Sequence, residues 1–126
     1  MSVPLPDSVK KLLDAPNFAH IATLMPDGSP QATVVWVKRD GDNIIFNTAE
    51  GRVKPSNLRR DPRVAVSIHD REDPYLKASI RGRVIDIRQE DGDAVIDELA
   101  HKYWGVDGYP YRQGQIRLTV VIEPIS

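Results

Sequence analysis

Near the C-terminal end of the chain, Ile116, Leu118, Val120 and Ile122 are interleaved with Arg117, Thr119 and Glu123. A two-residue period sends successive side chains to opposite faces, so this run predicts a last, half-buried strand before Pro124. Other strand-like runs precede it. Phe18 to Leu24 and Gln31 to Lys38 flank Pro26, Asp27 and Gly28, whose turn chemistry predicts a hairpin. Asp40-Gly41-Asp42-Asn43 then returns the chain into a third antiparallel strand, 43–48. Arg63 to His69 reads as a fourth strand and 76–88 as a long fifth. Within that fifth strand the apolar phase slips around Gly82, from Ile80 and Val84 to Ile85 and Ile87, so a bulge is expected near the glycine.

Helical periodicity is confined to three places. From Glu90 to Trp104 the apolar positions Ala94, Val95, Leu99, Ala100 and Tyr103 recur at helical spacing, with acids in the first turn and Gly105 as a stop. Asp7 or Ser8 can cap a short N-terminal helix whose Val9, Leu12 and Leu13 share a face; Pro16 stops it, and it would lid one barrel end. A third helix is expected around Pro55, a residue suited to a first turn, with Val53 and Leu58 facing the core. Tight antiparallel turns interrupted by one long helix predict a mainly β fold with flanking helices: a small six-stranded antiparallel closed or split β-barrel rather than a doubly wound sheet. So small a barrel has little interior room, and a large cofactor would lie outside it or in a seam between two subunits.

With 126 residues, 40% hydrophobic and 28% charged, the chain suits one domain spanning 1–126. A net charge of -1 leaves no molecule-wide footprint for a polyanion, so any basic site is local. The absence of cysteine excludes disulfides, thiolate nucleophiles and thiolate metal sites. His20, His69 and His101 lack metal-ligand spacing, and no metal is expected. The N-terminus has no signal-peptide core, and the longest aliphatic or aromatic run, Val34 to Val37, is far short of a membrane span. A cytoplasmic protein without a membrane partner is the expectation. Asp70, Glu72 and Asp73 form an acidic trio, but in a turn that solvent and Arg71 can satisfy. Phosphate-loop, dinucleotide-fingerprint and nucleophile-elbow motifs are all missing.

The most informative stretch runs from Asn47 to Pro62, where Arg52, Lys54, Arg59 and Arg60 stand between two strands with Asp61 as the nearby acid. It reads as an anion cradle, in which each charge-assisted hydrogen bond contributes roughly 1.5–3 kcal/mol; the alternative is a solvated basic helix face. No aromatic residue occurs from Thr48 to Ile68, which argues against nucleic acid as the anion. Trp36, between Val34 and Val37, is either a dimer contact or a core residue. Tyr103, Trp104, Tyr109 and Tyr111 read as packing for an irregular loop, and 105–114 as a candidate substrate gate.

The Pro-Asp-Gly-Ser-Pro hairpin followed by Gln31, the Asn47-Thr48 strand end, and Arg52-x-Lys54-x-x-Asn57-Leu58-Arg59-Arg60-Asp61-Pro62 before Val-Ala-Val-Ser-Ile resemble the pyridoxamine 5'-phosphate oxidase-like split-barrel family. Within it, they look like the branch that uses the deazaflavin coenzyme F420. The resemblance implies an FMN-binding-like homodimer with two sites, each built from both subunits. It implies that Arg52, Lys54 and Asn57 hold the cofactor's tail phosphate, with Asn47 and Thr48 lining its path. Arg59 and Arg60 match as well, facing either solvent or the acidic tail of the deazaflavin. Gln31 and the strand up to Trp36 correspond to the stretch beneath the ring system, and Tyr75 and Lys77 to a segment reaching the partner's site. The implied reaction is hydride transfer between coenzyme F420 and a conjugated small-molecule acceptor, with Tyr75 or His69 as candidate proton donors. FMN is the alternative cofactor, and a non-catalytic carrier of either cofactor the alternative role. The chain ends at Ser126 without the basic C-terminal extension of relatives that oxidise pyridoxamine phosphate, so that reaction is not expected.

Overall fold

Seven antiparallel strands form one sheet in the order β2-β1-β5-β6-β7-β4-β3. The computed structural model describes residues 2–111 and 114–126. The elements are α1 (Asp7–Asp14), β1 (Ala19–Leu24), β2 (Pro30–Val35), β3 (Val37–Asp40), β4 (Asn43–Ala49), α2 (Val53–Arg60), β5 (Arg63–His69), β6 (Lys77–Arg88), α3 (Gly92–Trp104) and β7 (Arg117–Pro124). The sheet curls into a half-barrel flanked by helices, the architecture of a split barrel. Its two edges, β2 and β3, are consecutive in the chain and meet at Trp36. The expected six strands become seven for this reason: the 31–38 run is broken at Trp36, so that its first half pairs with β1 and its second with β4.

Two apolar layers hold the fold. Inside the curl, Ala19 and Ile21 of β1, Val64, Val66 and Ile68 of β5, and Phe46 of β4 pack with Val120 and Ile122. Leu12 and Leu13 of α1 close that layer from one side. On the outer face of β4 and β7, α3 buries Val95, Ile96 and Leu99 against Ile45 and Val121. β7 is therefore buried on both faces, where half-burial was expected, and its polar residues Arg117 and Thr119 lie inside. The inward face of α3 is correspondingly rotated from the expected one: Ile96 is buried and Ala94 exposed. Leu58 of α2 reaches the core, whereas Val53, in the helix's opening turn, is exposed.

Two glycines mark close approaches. At Gly82 a Cβ would fall 2.5 Å from Ile122 Cγ2, so the glycine lets β6 lie against β7. The register slip sits just beyond it, between Val84 and Asp86 on β6, which places the bulge at Ile85 rather than at the glycine. At Gly92 a Cβ would collide with the Arg117 backbone carbonyl; only a residue without a side chain lets the start of α3 touch β7 there.

Candidate functional site

A cleft of about 270 Å³ opens where the basic segment, the Trp36 break and the start of β7 meet. One wall is cationic. Arg52, the residue preceding α2, is exposed, and its guanidinium has no partner among the described residues. Lys54 is half-buried and donates from Nζ to Thr33 Oγ1 at 2.8 Å. Burial first, then the charges of Arg52 and Arg117, lower the Lys54 ammonium's pKa from its ordinary value. Arg117 completes the wall; only 4% exposed, it donates from Nε to Asn47 Oδ1 and from Nη1 to Gln115 Oε1, both at 2.8 Å.

The opposite wall is aromatic and aliphatic. Trp36 stacks on Tyr103 at 5.3 Å and 11°, and meets Trp104 edge-on at 4.5 Å. Trp104 and Tyr109 stack at 6.2 Å, and the face of Tyr109 lies 5.3 Å from the Arg117 guanidinium carbon. Val34, Val35, Ile96 and Leu99 supply aliphatic lining. Tyr103 is the pillar of this wall: its hydroxyl donates to Asn17 O at 2.6 Å and accepts from Val37 N at 3.0 Å. Burial raises the Tyr103 phenol's pKa. The cleft is thus charged at one end and flat and apolar at the other.

Of the residues singled out from sequence, Trp36, Asn47, Thr48, Arg52 and Lys54 come together in the cleft lining. Asn47 is fully engaged, donating to Gly92 O at 2.8 Å while accepting from Arg117. The Thr48 hydroxyl is buried without a hydrogen-bond partner, and so is Gln31 Oε1 on β2, which lies outside the cleft lining. Asn57 points into the fold instead: Nδ2 donates to Thr23 Oγ1 at 2.9 Å, and Oδ1 accepts from Arg60 at 2.8 Å. Arg60 also reaches Leu24 O at 2.6 Å, so this pair ties α2 to the end of β1. Arg59 forms a two-point ion pair with Glu50, at 2.5 and 2.9 Å.

The acid expected to neutralise the basic segment, Asp61, bonds Arg63 instead, and hydrogen bonds from Arg63 hold its carboxyl down at about 2. Tyr75, 85% exposed, and Lys77 stand outside the cleft, beside α1. His69 Nδ1 contacts the Asp70 carbonyl at 2.8 Å, likewise away from it. The candidate gate 105–114 contains residues 112 and 113, which lie outside the described residues. Among the described residues, no cluster of three or more His, Cys, Asp or Glu side chains is placed to hold a metal. No helix of these is long and apolar enough to cross a membrane.

A larger groove, about 530 Å³, lies between Leu24, Pro30, Val64 and Ile125. Its two arginines are engaged, Arg63 by Asp61 and Arg81 by the Ser126 hydroxyl, so it lacks the free donors of the cleft.

The fold finds its counterpart among known proteins. A family model described as pyridoxamine 5'-phosphate oxidase matches residues 5–123. The chain belongs to this family. Among solved structures of similar form, a protein described as an F420 reductase is 32% identical, with 97% of each chain covered and a TM-score of 0.86. A conserved hypothetical protein of Mycobacterium tuberculosis is 24% identical over 99% of this chain and 83% of its own, with a TM-score of 0.76. A pyridoxamine 5'-phosphate oxidase-related, FMN binding protein of Nostoc punctiforme shares 13% identity over 86% and 71%, with a TM-score of 0.60, a likeness of fold alone.

As a member of the pyridoxamine 5'-phosphate oxidase family the chain builds its cleft partly from residues that the sequence reading left aside. Alternation along a half-buried strand puts Arg117 on the solvent face, and the spacing of Trp104 and Tyr109 suits loop packing; the structure instead places all three in the cleft lining. The available signal was a lone arginine beginning a mostly apolar strand, a position that pairing places beside Ala49 at the end of β4. Phe18 also reaches the cleft; it stacks on Tyr103 at 5.8 Å, and Arg71 lies over its ring at 5.2 Å.

Proposed function

We propose that this chain is an oxidoreductase that binds the deazaflavin coenzyme F420 in the cleft and transfers a hydride between it and a conjugated small-molecule acceptor. The observation that carries the reading is the division of the cleft into a cationic end, Arg52, Lys54 and Arg117, and an aromatic end, Trp36, Trp104 and Tyr109. A ligand with an anionic arm and a flat conjugated ring matches both ends. The unpartnered Thr48 hydroxyl offers a further donor beside the cations. Identity of 32% over 97% of the chain with a protein described as an F420 reductase favours the deazaflavin over FMN, which has the same two chemical features.

When bound, F420 supplies the hydride on its ring; the protein's part is to place that ring and keep water from it. Arg52 and Lys54 would grip the phosphate arm through charge-assisted bonds, with Lys54 turning its ammonium from Thr33 to the ligand. Trp104 and Tyr109 would shield the ring from solvent, and Trp36, braced by Tyr103, would fix its plane. Positioning of this kind is a recognised source of rate, and it requires no dedicated acid on the protein. We further propose that two copies assemble with the cleft in their seam.

Side-by-side fluorescence titration tests the reading. F420 emission is expected to be quenched on binding, FMN to bind more weakly, and Lys54→Ala to weaken F420 binding at least about tenfold, equivalent to 1.4 kcal/mol. Unchanged affinity in Lys54→Ala would remove the cationic grip from the account. Bleaching of reduced coenzyme only after addition of an acceptor separates an enzyme from a carrier.

A further inference from the structure

Arg117 is the one buried charged residue among the described residues. Four surface arginines have acids: Arg39 pairs with Asp14, Arg59 with Glu50, Arg63 with Asp61, and Arg88 with Asp86 and Asp91. The buried one forms no such ion pair among the described residues, although Asp93 favours its charge through space. Its partners are two neutral carboxamide oxygens, of Asn47 and Gln115, and the face of Tyr109; Nη2 has no partner among the described residues. Removing a guanidinium from water without a direct ion pair is costly: burial and the charge of Arg52 outweigh the support of Asp93 and lower the Arg117 pKa from its ordinary value. A second, independent observation comes from the same cleft. Thr48, 1% exposed, has a hydroxyl with no hydrogen-bond partner. Buried donors without acceptors are rare in native folds unless a ligand or water completes them.

We infer that Arg117 and Thr48 form the inner anion subsite of the cleft, and that an oxyanion of the bound ligand, phosphate or carboxylate, supplies the direct ion-pair partner that Arg117 lacks among the described residues. The order of the charges follows from burial. Arg52, exposed, meets the anion first; Lys54, half-buried, comes next; Arg117 holds it against the barrel wall. Asn47, gripped between Arg117 and the Gly92 carbonyl, sets the guanidinium's position from the start of α3. The unliganded protein therefore carries an electrostatic penalty at this point that binding relieves, so affinity and stability are linked through one side chain. The proposed coenzyme function enters only as the source of the oxyanion; the subsite itself would accept inorganic phosphate.

Arg117→Gln removes the charge while keeping an N–H donor for Asn47, and Thr48→Val removes the hydroxyl at nearly constant shape. Thermal melts are recorded with inorganic phosphate against sodium chloride at matched ionic strength, alongside F420 titrations. Wild-type protein is expected to gain stability with phosphate beyond the chloride control, and Arg117→Gln to lose most of that gain. F420 dissociation constants should rise at least about tenfold in Arg117→Gln, about threefold in Thr48→Val, and by an intermediate factor in Arg117→Lys. Ligand-free Thr48→Val should melt no lower than wild type, since it deletes a buried group without a partner. If the wild type ignores F420 but keeps a phosphate shift that Arg117→Gln abolishes, the coenzyme reading fails and the subsite stands. Wild-type phosphate and F420 responses in both Arg117→Gln and Thr48→Val would overturn the subsite.

Discussion

Lys102 shows how a single cation can hold elements together without meeting an anion. From α3 its ammonium donates to the carbonyls of Leu13 at 2.5 Å and Val37 at 2.6 Å, joining the end of α1 to the start of β3. The two carbonyls satisfy two of the three donors, yet burial disfavours the charge and brings its pKa from 10.5 to about 8. The sign follows from proton counting: between those values the unfolded chain binds more protons than the folded one, so stability rises with pH. Denaturant unfolding between pH 8 and 9.5 is expected to show a gain in the wild type, of which Lys102 contributes no more than about 2 kcal/mol. Lys54, whose pKa is also lowered, adds the same sign, so Lys102→Met should reduce the slope without abolishing it. A wild-type profile that falls with pH in this window would contradict the assignment. Tyr103, shifted the other way, sets the upper limit, because ionising its buried phenol destabilises the folded state at higher pH.

The junction of α3 with β7 is where a small residue has the largest structural consequence. Gly92 begins the helix against the Arg117 carbonyl, and its own carbonyl accepts from Asn47. A methyl group there meets backbone rather than a movable side chain, so Gly92→Ala should cost about 3 kcal/mol or more by urea titration, near the upper end for overpacking. Gly82→Ala, which meets the Ile122 side chain first, should cost less; the reverse order would show that α3 can shift away from the sheet. β5 was legible in the sequence because one face meets the barrel interior and the other is exposed, giving clean alternation. β7 was not, since α3 covers the face that alternation assigned to water and buries Arg117 and Thr119. The break at Trp36 was equally invisible: Val35 and Val37 are buried on either side, so the period-two pattern continues through the kink without a slip. Two residues of the cationic segment, Arg52 and Lys54, lie in the cleft lining, but the aromatic wall became legible only after folding brought 104 and 109 to Trp36.

At the scale of the whole molecule, the size of the cleft bears on assembly. Its volume of about 270 Å³ falls just below the 300–1,000 Å³ common for pockets that enclose a drug-sized ligand. A coenzyme with a tricyclic ring and a phosphorylated arm would overfill it and remain partly in solvent, where water competes for both the ring and the cations. Phe18, Val34 and Trp104 in the lining are 41%, 58% and 49% exposed, so apolar surface continues outward from the cleft. The homodimer proposed above would cover that surface and complete the enclosure, which links assembly to affinity. Sedimentation of the wild type is then expected near twice 14.1 kDa, with one coenzyme bound per chain. Val34→Glu places a charge on an exposed position of β2 and leaves the core untouched. It should yield a folded monomer with coenzyme affinity at least about tenfold lower. A wild-type monomer binding one coenzyme per chain, or a Val34→Glu monomer of full affinity, would show that one chain encloses its ligand unaided and would leave the seam without a role.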